Sequence, residues 1–411
     1  MSLAVITSGF LPVPASKGGA VESLLENFIK KNEEYKKIKI TVFSIKDKKA
    51  VEISRKYENS EFIFIKPNII VESLDKFTYF IAKNILKKDN TMSYRYIFQR
   101  LYFLNKVSKY LQKNNYDKVL LENHPTLFMA LKKRKNYLKY KDRYYYHLHN
   151  EIKSAYKCEE IIKNCKNNIG VSNFIKNQLS EFLDVKDKNN FSVLRNCINQ
   201  DQFNQGLSDD ESKKLRKKYG IKDDDKVLLF TGRLTREKGI KEILLSLKKV
   251  KSENYKLLVV GSFFFGTEVK NKFEEELEEI IFELKDKVKF TGFVPYEDIY
   301  KIYSISDIAI LPSIWDDPAP LTIIESLSCG LPIITTNSGG IPEYVNEKCA
   351  LIYNRDENLI ENLSEGIDKL INNDKLRIKM GKESLEASKE LTLDNYYFNF
   401  IELLGVNYEK L

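Results

Sequence analysis

The sequence predicts an α/β protein of two domains, each with a parallel sheet covered by helices. Short apolar runs alternate with amphipathic stretches along the chain, which is the pattern of repeated strand–helix units. The 411 residues are enough for two domains that each bury a full core. A hydrophobic content of 43% and a charged content of 30% are ordinary for a globular protein.

In the first half of the chain, apolar runs predict strands and amphipathic runs predict helices. The strands are predicted at residues 3–8, 38–43, 61–65, 119–121, 143–149 and 168–171. The helices are predicted at residues 19–31, 74–88 and 94–112. Ser172 follows the last strand and is predicted to cap the next helix.

The second half repeats this pattern after a polar linker at residues 200–210. Its strands are predicted at residues 227–230, 257–260, 288–290 and 308–311. Its helices are predicted at residues 240–250, 268–283, 296–304 and 394–404. Two of these strands run into loops that suit a phosphate-bearing ligand.

The loop and helix after strand 308–311 place two carboxylates beside a helix start. Pro320 is predicted as the first helical residue, because its fixed φ suits that position and its missing N–H is not needed there. The N–H groups of Leu321 and Thr322 then lie at the helix start, where the helix dipole favours an anion. Asp317 lies in the loop, and Glu325 lies about one and a half turns into the helix. A phosphate cradle between two carboxylates suits a nucleotide sugar, since carboxylates accept hydrogen bonds from hydroxyl groups.

The loop after strand 227–230 carries basic residues and glycines. Arg233 offers a planar fork that suits phosphate, and Lys238 offers a mobile point charge. Gly232 and Gly239 let the backbone approach a ligand. Such a loop lies where open α/β sheets bind ligands. Either loop alone also fits a solvated turn, but the two together favour a phosphate site.

All three histidines of the chain, His124, His147 and His149, fall within 26 residues. His147 and His149 are two positions apart on a predicted strand, so they point to the same face. His149 ends that strand, where ligands bind in such sheets. His124 is the second choice for a site residue, and either histidine also fits a structural role. A metal site is not predicted, because the histidines have no supporting ligand pattern.

At these residues the chain resembles the family 4 retaining glycosyltransferases. The matching pieces are Gly232-Arg233-Leu234, Lys238-Gly239, Asp317 with Glu325 and residues 326–332, Lys17-Gly18-Gly19, Val171-Ser172-Asn173 and residues 339–343. They span most of the chain, and their combination is specific although no single tripeptide is. The chain departs from the family pattern at Asp317, where Glu is usual, at Pro320, where Gly is common, and at residues 195–199. No departure removes a charge from the expected donor site.

The resemblance implies the GT-B fold, in which two Rossmann-like, doubly wound parallel-sheet domains face a central cleft. Residues 1–199 are expected to form the acceptor-side domain and residues 200–384 the donor-binding domain. Residues 385–411 are expected to pack back on the first domain, because the last helix of such proteins commonly crosses over.

The resemblance also implies roles toward a nucleotide diphosphate sugar. The expected catalytic residues are His149, Arg233, Lys238, Asp317 and Glu325. The expected donor-binding residues are Gly18, Gly19, Gly232, Pro320, Leu321, Thr322 and Glu325. In this scheme the carboxylates bind ribose and sugar hydroxyls, the cations and helix amides hold the diphosphate, and the histidine positions the transferred sugar.

The function implied is a retaining transfer from a nucleotide diphosphate sugar, with UDP favoured, to a saccharide acceptor that is lipid-linked. The pathway expected is the synthesis of a cell-surface polysaccharide or glycoconjugate. Neither a cofactor nor a metal is expected, because Arg233 and Lys238 neutralise the leaving group. Two alternatives remain: a non-catalytic homologue serving as a partner subunit, and a sugar-nucleotide epimerase of the same fold.

The charge distribution points to an anionic partner for the first half. Residues 1–200 hold 37 Lys and Arg against 20 Asp and Glu, a net charge of +17, whereas the remaining 211 residues have a net charge of −8. An anionic membrane surface explains this asymmetry, as does a composition bias toward lysine. The predicted helices at 74–112 place aromatic residues beside lysines, including Lys87 and Lys88, which fits a membrane contact or a core face with a solvated face.

The cysteines and apolar runs predict a cytoplasmic protein, with a peripheral position on the inner face of the membrane as the accompanying expectation. The five cysteines are scattered and fit neither a disulfide framework nor a zinc site. The first residues lack the pattern of a signal peptide, and no apolar stretch approaches the length of a membrane span. No nucleic-acid partner is expected.

Overall fold

The computed structural model describes residues 1–86, 95–261 and 272–406. The chain divides into two compact units. Unit 1 comprises Met1–Asn196 and Leu393–Leu411, and unit 2 comprises Cys197–Thr392. The expected boundaries were 199/200 and 384/385, so the observed divisions lie slightly earlier at the first junction and later at the second.

Unit 1 is built on a seven-stranded sheet in the order β3-β2-β1-β4-β5-β6-β7, with parallel pairing throughout these strands. The strands are β1 (Ser2–Ile6), β2 (Lys39–Ile45), β3 (Ser60–Ile65), β4 (Lys118–Glu122), β5 (Tyr144–Leu148), β6 (Asn167–Gly170) and β7 (Phe191–Val193). Its helices before the first junction are α1 (Ala20–Tyr35), α2 (Lys48–Ser54), α3 (Ile69–Phe80), α4 (Ile97–Lys113), α5 (Phe128–Lys132), α6 (Asn136–Lys139), α7 (Glu159–Lys163) and α8 (Asn173–Phe182).

Unit 2 is built on a six-stranded sheet in the order β10-β9-β8-β11-β12-β13, also paired in parallel. The strands are β8 (Lys226–Thr231), β9 (Tyr255–Val260), β10 (Val288–Gly292), β11 (Ile308–Leu311), β12 (Ile333–Thr336) and β13 (Ala350–Tyr353). The helices are α9 (Gln200–Phe203), α10 (Asp209–Lys218), α11 (Ile240–Leu247), α12 (Lys272–Leu284), α13 (Ile299–Ser304), α14 (Leu321–Ser328), α15 (Leu359–Ile371) and α16 (Asp374–Ser388). Two Rossmann-like parallel-sheet domains are therefore present, as predicted.

The last helix, α17 (Leu393–Leu403), belongs to unit 1 and packs on α1. The ring of Phe28 lies 4.8 Å from that of Phe400 and 5.4 Å from that of Tyr397. The Tyr397 hydroxyl donates to Asn32 Oδ1 at 2.9 Å. The chain thus re-enters the first unit through a buried aromatic cluster.

Two predicted elements differ most from those observed. The predicted linker at 200–210 contains the short helix α9 and the start of α10. The helix predicted at 74–88 begins earlier, at Ile69, because the Asn68 side chain caps it by accepting from the Val71 amide at 2.9 Å. It passes into a π-helical turn at Ile81–Ile85. Residues 87, 88, 94 and 268–271 of the predicted helices lie outside the described residues.

Searched over the described ranges, no helix is both long and apolar enough to cross a bilayer.

Candidate functional site

Two adjacent strands of unit 2, β8 and β11, end beside each other and carry the loops that the sequence singled out. The loops are tied together, because the Ile314 amide donates to the Glu237 carbonyl at 2.8 Å. Gly239 is required at this junction. Its φ is +72°, and a Cβ there would overlap the carbonyl oxygen of Pro312.

Lys238 and Asp317 form an ion pair across these two loops. Asp317 is only 4% exposed, and its backbone is fixed by the Gly340 amide, which donates to the Asp317 carbonyl at 2.8 Å. Gly339 makes this approach possible, since a Cβ at that position would overlap the same carbonyl. The lysine and the carboxylate that the sequence placed 79 positions apart therefore meet.

Helix α14 begins next to this pair. Pro320 is the N-cap residue, with φ −71° and ψ 126°, and Leu321 is the first helical residue. The prediction that Pro320 opens the helix is therefore wrong by one position, because Pro320 keeps an extended ψ. The amides of Leu321 and Thr322 lie in the first turn, where helical N–H groups have no intrahelical partner and attract anions.

Glu325, on the same helix, is buried and already hydrogen-bonded. Its Oε2 accepts from the Tyr303 hydroxyl at 2.7 Å, and that hydroxyl also lies 2.9 Å from Thr231 Oγ1. Tyr296 is a further hydroxyl partner of the carboxylate. Burial raises the pKa of Glu325, while the two tyrosine hydroxyls oppose this shift. The two tyrosines fix one side of Glu325, a feature that the sequence analysis did not anticipate.

Arg233 and Gly232 complete the loop after β8. Arg233 is exposed. The pKa of Glu237 is lowered mainly by a hydrogen bond with Thr235, and the charge of Arg233 lowers it further. Gly232 has φ +153°, and its carbonyl is approached so closely that a Cβ on Gly261 would overlap it. Unit 2 thus presents cations, helix amides and buried carboxylates at one edge of its sheet.

In unit 1, His149 belongs to a buried group with Glu122 and His147. His147 Nδ1 lies 3.1 Å from Glu122 Oε2, and His149 Nε2 lies 3.4 Å from the same oxygen and 3.2 Å from His147 Nδ1. His147 is 1% exposed, Glu122 is 2% exposed and His149 is 7% exposed. One carboxylate therefore faces two imidazoles at the carboxyl ends of β4 and β5.

The electrostatics of this group keep Glu122 ionised and His149 neutral near pH 7. Burial alone would raise the pKa of Glu122, but the two imidazoles lower it to about 2. Burial and the neighbouring His147 lower the pKa of His149 to about 4, against the opposing effect of Glu122. A neutral His149 can donate one hydrogen bond and accept another.

His124 is not part of this group. Its Nε2 lies 3.0 Å from the Arg100 guanidinium, and its Nδ1 lies 3.2 Å from the Thr126 amide, which it caps. Burial and the Arg100 charge lower the pKa of His124 to about 4. These contacts give His124 a structural role at the end of β4.

Gly18 and Gly19 form the exposed turn between β1 and α1. Both have positive φ, +73° and +107°, and Gly19 is the N-cap residue of α1. A Cβ on Gly18 would meet open space, whereas one on Gly19 would press on the Glu22 carboxylate. The turn therefore needs glycine for its backbone conformation.

A family model described as "Glycosyl transferases group 1" matches residues 211–386, which hold every candidate residue of unit 2. Residues 211–386 of the chain are similar to the group 1 glycosyltransferases. The predicted membership of glycosyltransferase family 4 is thereby confirmed. Over 396 residues it is 24% identical to YtcC of Bacillus subtilis, which covers 93% of this chain and 86% of YtcC. Over 400 residues it is 28% identical to the spore coat protein SA of the same bacterium, which covers 93% of both chains.

The fold of this glycosyltransferase matches a solved glycosyltransferase from Rickettsia africae. The TM-score is 0.73 at 20% sequence identity, over 98% of this chain and 97% of the other. The GT-B fold is confirmed, with Rossmann-like sheets of seven and six strands.

The sequence analysis missed Glu122 as a partner of the glycosyltransferase's histidines. The signal lay in the sheet register, since Glu122 of β4 pairs with His147 of β5. Each of Glu122, His147 and His149 offers one atom that can bind a metal, and these three atoms lie within 4.8 Å of one another. Their spacing therefore suits a metal ion as well as the hydrogen bonds described above. The prediction that no metal is required stays a prediction.

Proposed function

We propose that this glycosyltransferase moves a sugar from a nucleotide diphosphate sugar, with UDP-sugars as the first donors to test, to a lipid-linked saccharide. The transfer retains the anomeric configuration and serves the synthesis of a cell-surface polysaccharide or glycoconjugate. The observation that carries the proposal is the edge of the unit 2 sheet, where Lys238 meets Asp317 beside the first turn of α14.

The diphosphate of the donor binds at that edge. Arg233, Lys238 and the amides of Leu321 and Thr322 hold its oxygens, and Lys238 is then shared between Asp317 and the phosphate. As the bond between the sugar carbon and the phosphate oxygen breaks, negative charge grows on the leaving group. The same cations and amides bind that charge more strongly than the ground state, which lowers the barrier.

The buried carboxylates select hydroxyl groups. Glu325 accepts from the ribose hydroxyls with the lone pairs that its tyrosine partners leave, and Asp317 accepts from hydroxyls of the transferred sugar. The leaving phosphate accepts the proton of the acceptor hydroxyl on the face from which it departs, and the new glycosidic bond forms there.

The lipid-linked acceptor is supported by an apolar face on α3 and the π-helical turn. This apolar face consists of Ile69, Ile70, Phe77, Phe80, Ile85 and Leu86, which are between 55% and 81% exposed. Such a concentration of exposed large side chains marks an interaction surface. Lysines flank it, with Lys76 and Lys83 among the described residues, and Lys87 and Lys88 lie outside them. A peripheral position on the anionic inner face of the cell membrane follows from this composition.

The test is a screen of UDP-, GDP- and dTDP-sugars with the purified protein and a lipid extract as acceptor source. Released nucleotide diphosphate is measured together with the anomeric configuration of the new glycoside, with and without EDTA. We expect release of nucleotide diphosphate together with a retained glycoside, unaffected by EDTA. An isomerised nucleotide sugar without release would indicate an epimerase, and loss in EDTA that Mn²⁺ or Mg²⁺ restores would contradict the metal-independent scheme.

The cations supply the decisive variants. Arg233→Ala and Lys238→Ala should each lower turnover at saturating donor at least a hundredfold, the scale of about 3 kcal/mol of transition-state stabilisation. Lys249→Ala is the control, because its exposed side chain pairs with Glu361 on the surface of the same unit. Near-full turnover in either loop variant would refute the proposed phosphate grip.

A further inference from the structure

Unit 1 contains a cationic cavity of about 610 Å³ that has no role so far. Its basic lining residues are Lys17, Lys46, Lys48, Arg55 and Lys66. Two carboxylates, Glu52 and Glu72, also line it, which leaves an excess of three positive charges. A cavity of this volume is large enough for a small-molecule ligand.

The cavity lies at the carboxyl ends of adjacent strands. Lys46 follows β2 and Lys66 follows β3, and the last residues of these strands, Ile45 and Ile65, are paired in the sheet. The Lys46 amide donates to the Ile65 carbonyl at 3.0 Å, so the two lysine backbones are held side by side. Ligands of open parallel sheets bind at this edge.

Asp47 holds the remaining wall in place. It caps α2 by accepting from the amides of Lys49 and Ala50, both at 3.1 Å, and it accepts from the Ser16 hydroxyl at 2.8 Å. Lys17 pairs with it at 3.1 Å. The loop after β1 and the start of α2 are thereby joined without the help of the other four cations.

Within the described ranges, no carboxylate lies within 4.0 Å of Lys46, Lys48, Arg55 or Lys66. Like charges placed around one concave surface repel each other and create a field that attracts an anion with several charges. Lysine and arginine bind phosphate through charge-assisted hydrogen bonds.

Part of the cavity wall is aromatic, and one side of the cavity adjoins the apolar face. Phe10 and Tyr96 line the cavity, and their rings meet edge to face with centroids 4.9 Å apart. Lys66, Pro67 and Glu72 also line a second cavity, together with Ile69 and Ile70 of the apolar face. The charged cavity is therefore directly adjacent to the exposed apolar side chains.

We propose that this cavity binds the phosphate that joins the acceptor saccharide to its lipid. The lipid chain leaves along the apolar face, and the sugar extends from the cavity past the aromatic wall. The inference rests on the proposed function, because it identifies the part of the acceptor that unit 1 recognises. The chemical class of ligand is an isoprenoid or glycerolipid phosphate ester, and neither a free phosphate nor a neutral lipid carries both features.

Calorimetric titration without any donor tests the proposal. The probes are farnesyl diphosphate, inorganic pyrophosphate and farnesol in detergent-free buffer below the critical micelle concentration. The triple variant Lys46→Gln, Arg55→Gln, Lys66→Gln is compared with a control triple, Lys109→Gln, Lys113→Gln, Lys153→Gln, which removes three exposed charges elsewhere in unit 1. Thermal melting of each variant confirms that it is folded.

We expect wild type and control to bind farnesyl diphosphate at least tenfold more tightly than either pyrophosphate or farnesol. We expect the cavity variant to lose at least tenfold in affinity, and Lys238→Ala to lose none. Unchanged binding by the cavity variant, equal binding of pyrophosphate or farnesol, or loss of binding in Lys238→Ala would each overturn the proposal.

This outcome is independent of the proposed reaction. If no nucleotide sugar releases its diphosphate with the wild-type protein, the proposed function fails whether or not the cavity binds the probe. If nucleotide sugars release their diphosphate but farnesyl diphosphate does not bind in the cavity, only the present inference fails.

Discussion

At the scale of single residues, Glu122 has the largest structural consequence in unit 1. It is a carboxylate that is only 2% exposed and has two imidazole partners. Removing one partner of a buried hydrogen bond is costly, since the other partner stays buried without compensation. The position of His149 depends on this carboxylate, because His149 Nε2 faces it at 3.4 Å.

The variant Glu122→Gln removes the charge and keeps the size of the side chain. We expect the free energy of unfolding to fall by about 1–3 kcal/mol, the cost of leaving a buried hydrogen-bonding group without its partner. Urea unfolding measures this change. Glu160→Gln is the control, because that side chain is 80% exposed and should change stability by less than about 0.5 kcal/mol. Equal stability of both variants would show that Glu122 does not hold the histidines.

His149, His124 and Glu122 determine how the stability of unit 1 changes at acidic pH. The pKa of His149 and of His124 is lowered to about 4 from 6.5, so the unfolded chain takes up protons first as the pH falls. Their contribution to stability is complete above pH 6.5 and is lost between pH 6.5 and pH 4. Glu122, lowered from 4.5 to about 2, adds a further loss below pH 4.5 that Glu122→Gln should not show.

Site residues that share one loop or motif are predictable from sequence, whereas partners supplied by distant strands are not. The pairing of Lys238 with Asp317 was accessible because both loops carry recognisable motifs after neighbouring strands. Glu122 lies 25 positions before His147, and only the register of β4 on β5 brings the two together. Tyr303 was missed for the same reason, since it reaches Glu325 from a helix with no motif.

At the scale of elements, Gly239 decides whether the loop after β8 can lie against the end of β11. Gly239 and Gly292 have the same φ of +72°, but a Cβ on Gly239 would overlap Pro312 while one on Gly292 would meet open space. Alanine variants at these two glycines therefore distinguish the effect of backbone strain alone from that of strain combined with steric overlap.

We expect Gly292→Ala to cost about 1–2 kcal/mol of stability, from left-handed backbone alone, with turnover unchanged. Gly239→Ala should cost more and should also lower turnover at least tenfold, about 1.4 kcal/mol, because the loop that carries Lys238 must move. Thermal melting and the nucleotide-release assay measure the two effects. Equal losses in both variants would mean that the close contact with Pro312 is not needed.

The bounds of the predicted strands agree better with the structure than the bounds of the predicted helices, although β7, β12 and β13 were not predicted. Parallel strands are buried on both faces and appear as continuous apolar runs, such as Ile308–Leu311, whose predicted and observed bounds agree. Helix bounds depend on single capping groups. Asn68 starts α3 five residues before the predicted start, and Asp47 caps α2, a helix that was not predicted.

At the scale of the whole molecule, the local sequence pattern predicts the sheets, whereas packing between distant segments determines the path of the chain. The alternation of strands and helices predicts two parallel sheets, but the order of the strands does not follow from it. The return of α17 to unit 1 depends on the aromatic contacts of Phe400 and Tyr397 with Phe28. Aromatic residues in a C-terminal helix indicate that the helix is packed against another element, but only the structure shows that this element is α1.

The proposed membrane attachment belongs to the scale of the whole molecule, because it combines the charge of the first half with the apolar face. Residues 1–200 have a net charge of +17, and each Lys or Arg near an anionic surface contributes about 1 kcal/mol. This attraction weakens with salt, since the Debye length falls from about 10 Å at 0.1 M to about 3 Å at 1 M. Insertion of Phe77 and Phe80, in contrast, depends little on salt.

Co-sedimentation with phosphatidylglycerol vesicles and with neutral phosphatidylcholine vesicles separates the two contributions. We expect the wild type to bind the anionic vesicles preferentially and less at high salt. Phe77→Ser with Phe80→Ser should bind less at both salt concentrations. The control is Phe282→Ser with Phe293→Ser, which removes two phenylalanines of unit 2 that are 86% and 72% exposed. Equal loss in both pairs would indicate a general effect of surface hydrophobicity. Salt-independent binding to both vesicles, or to neither, would mean that the basic first half reflects composition and that the acceptor reaches the enzyme from solution.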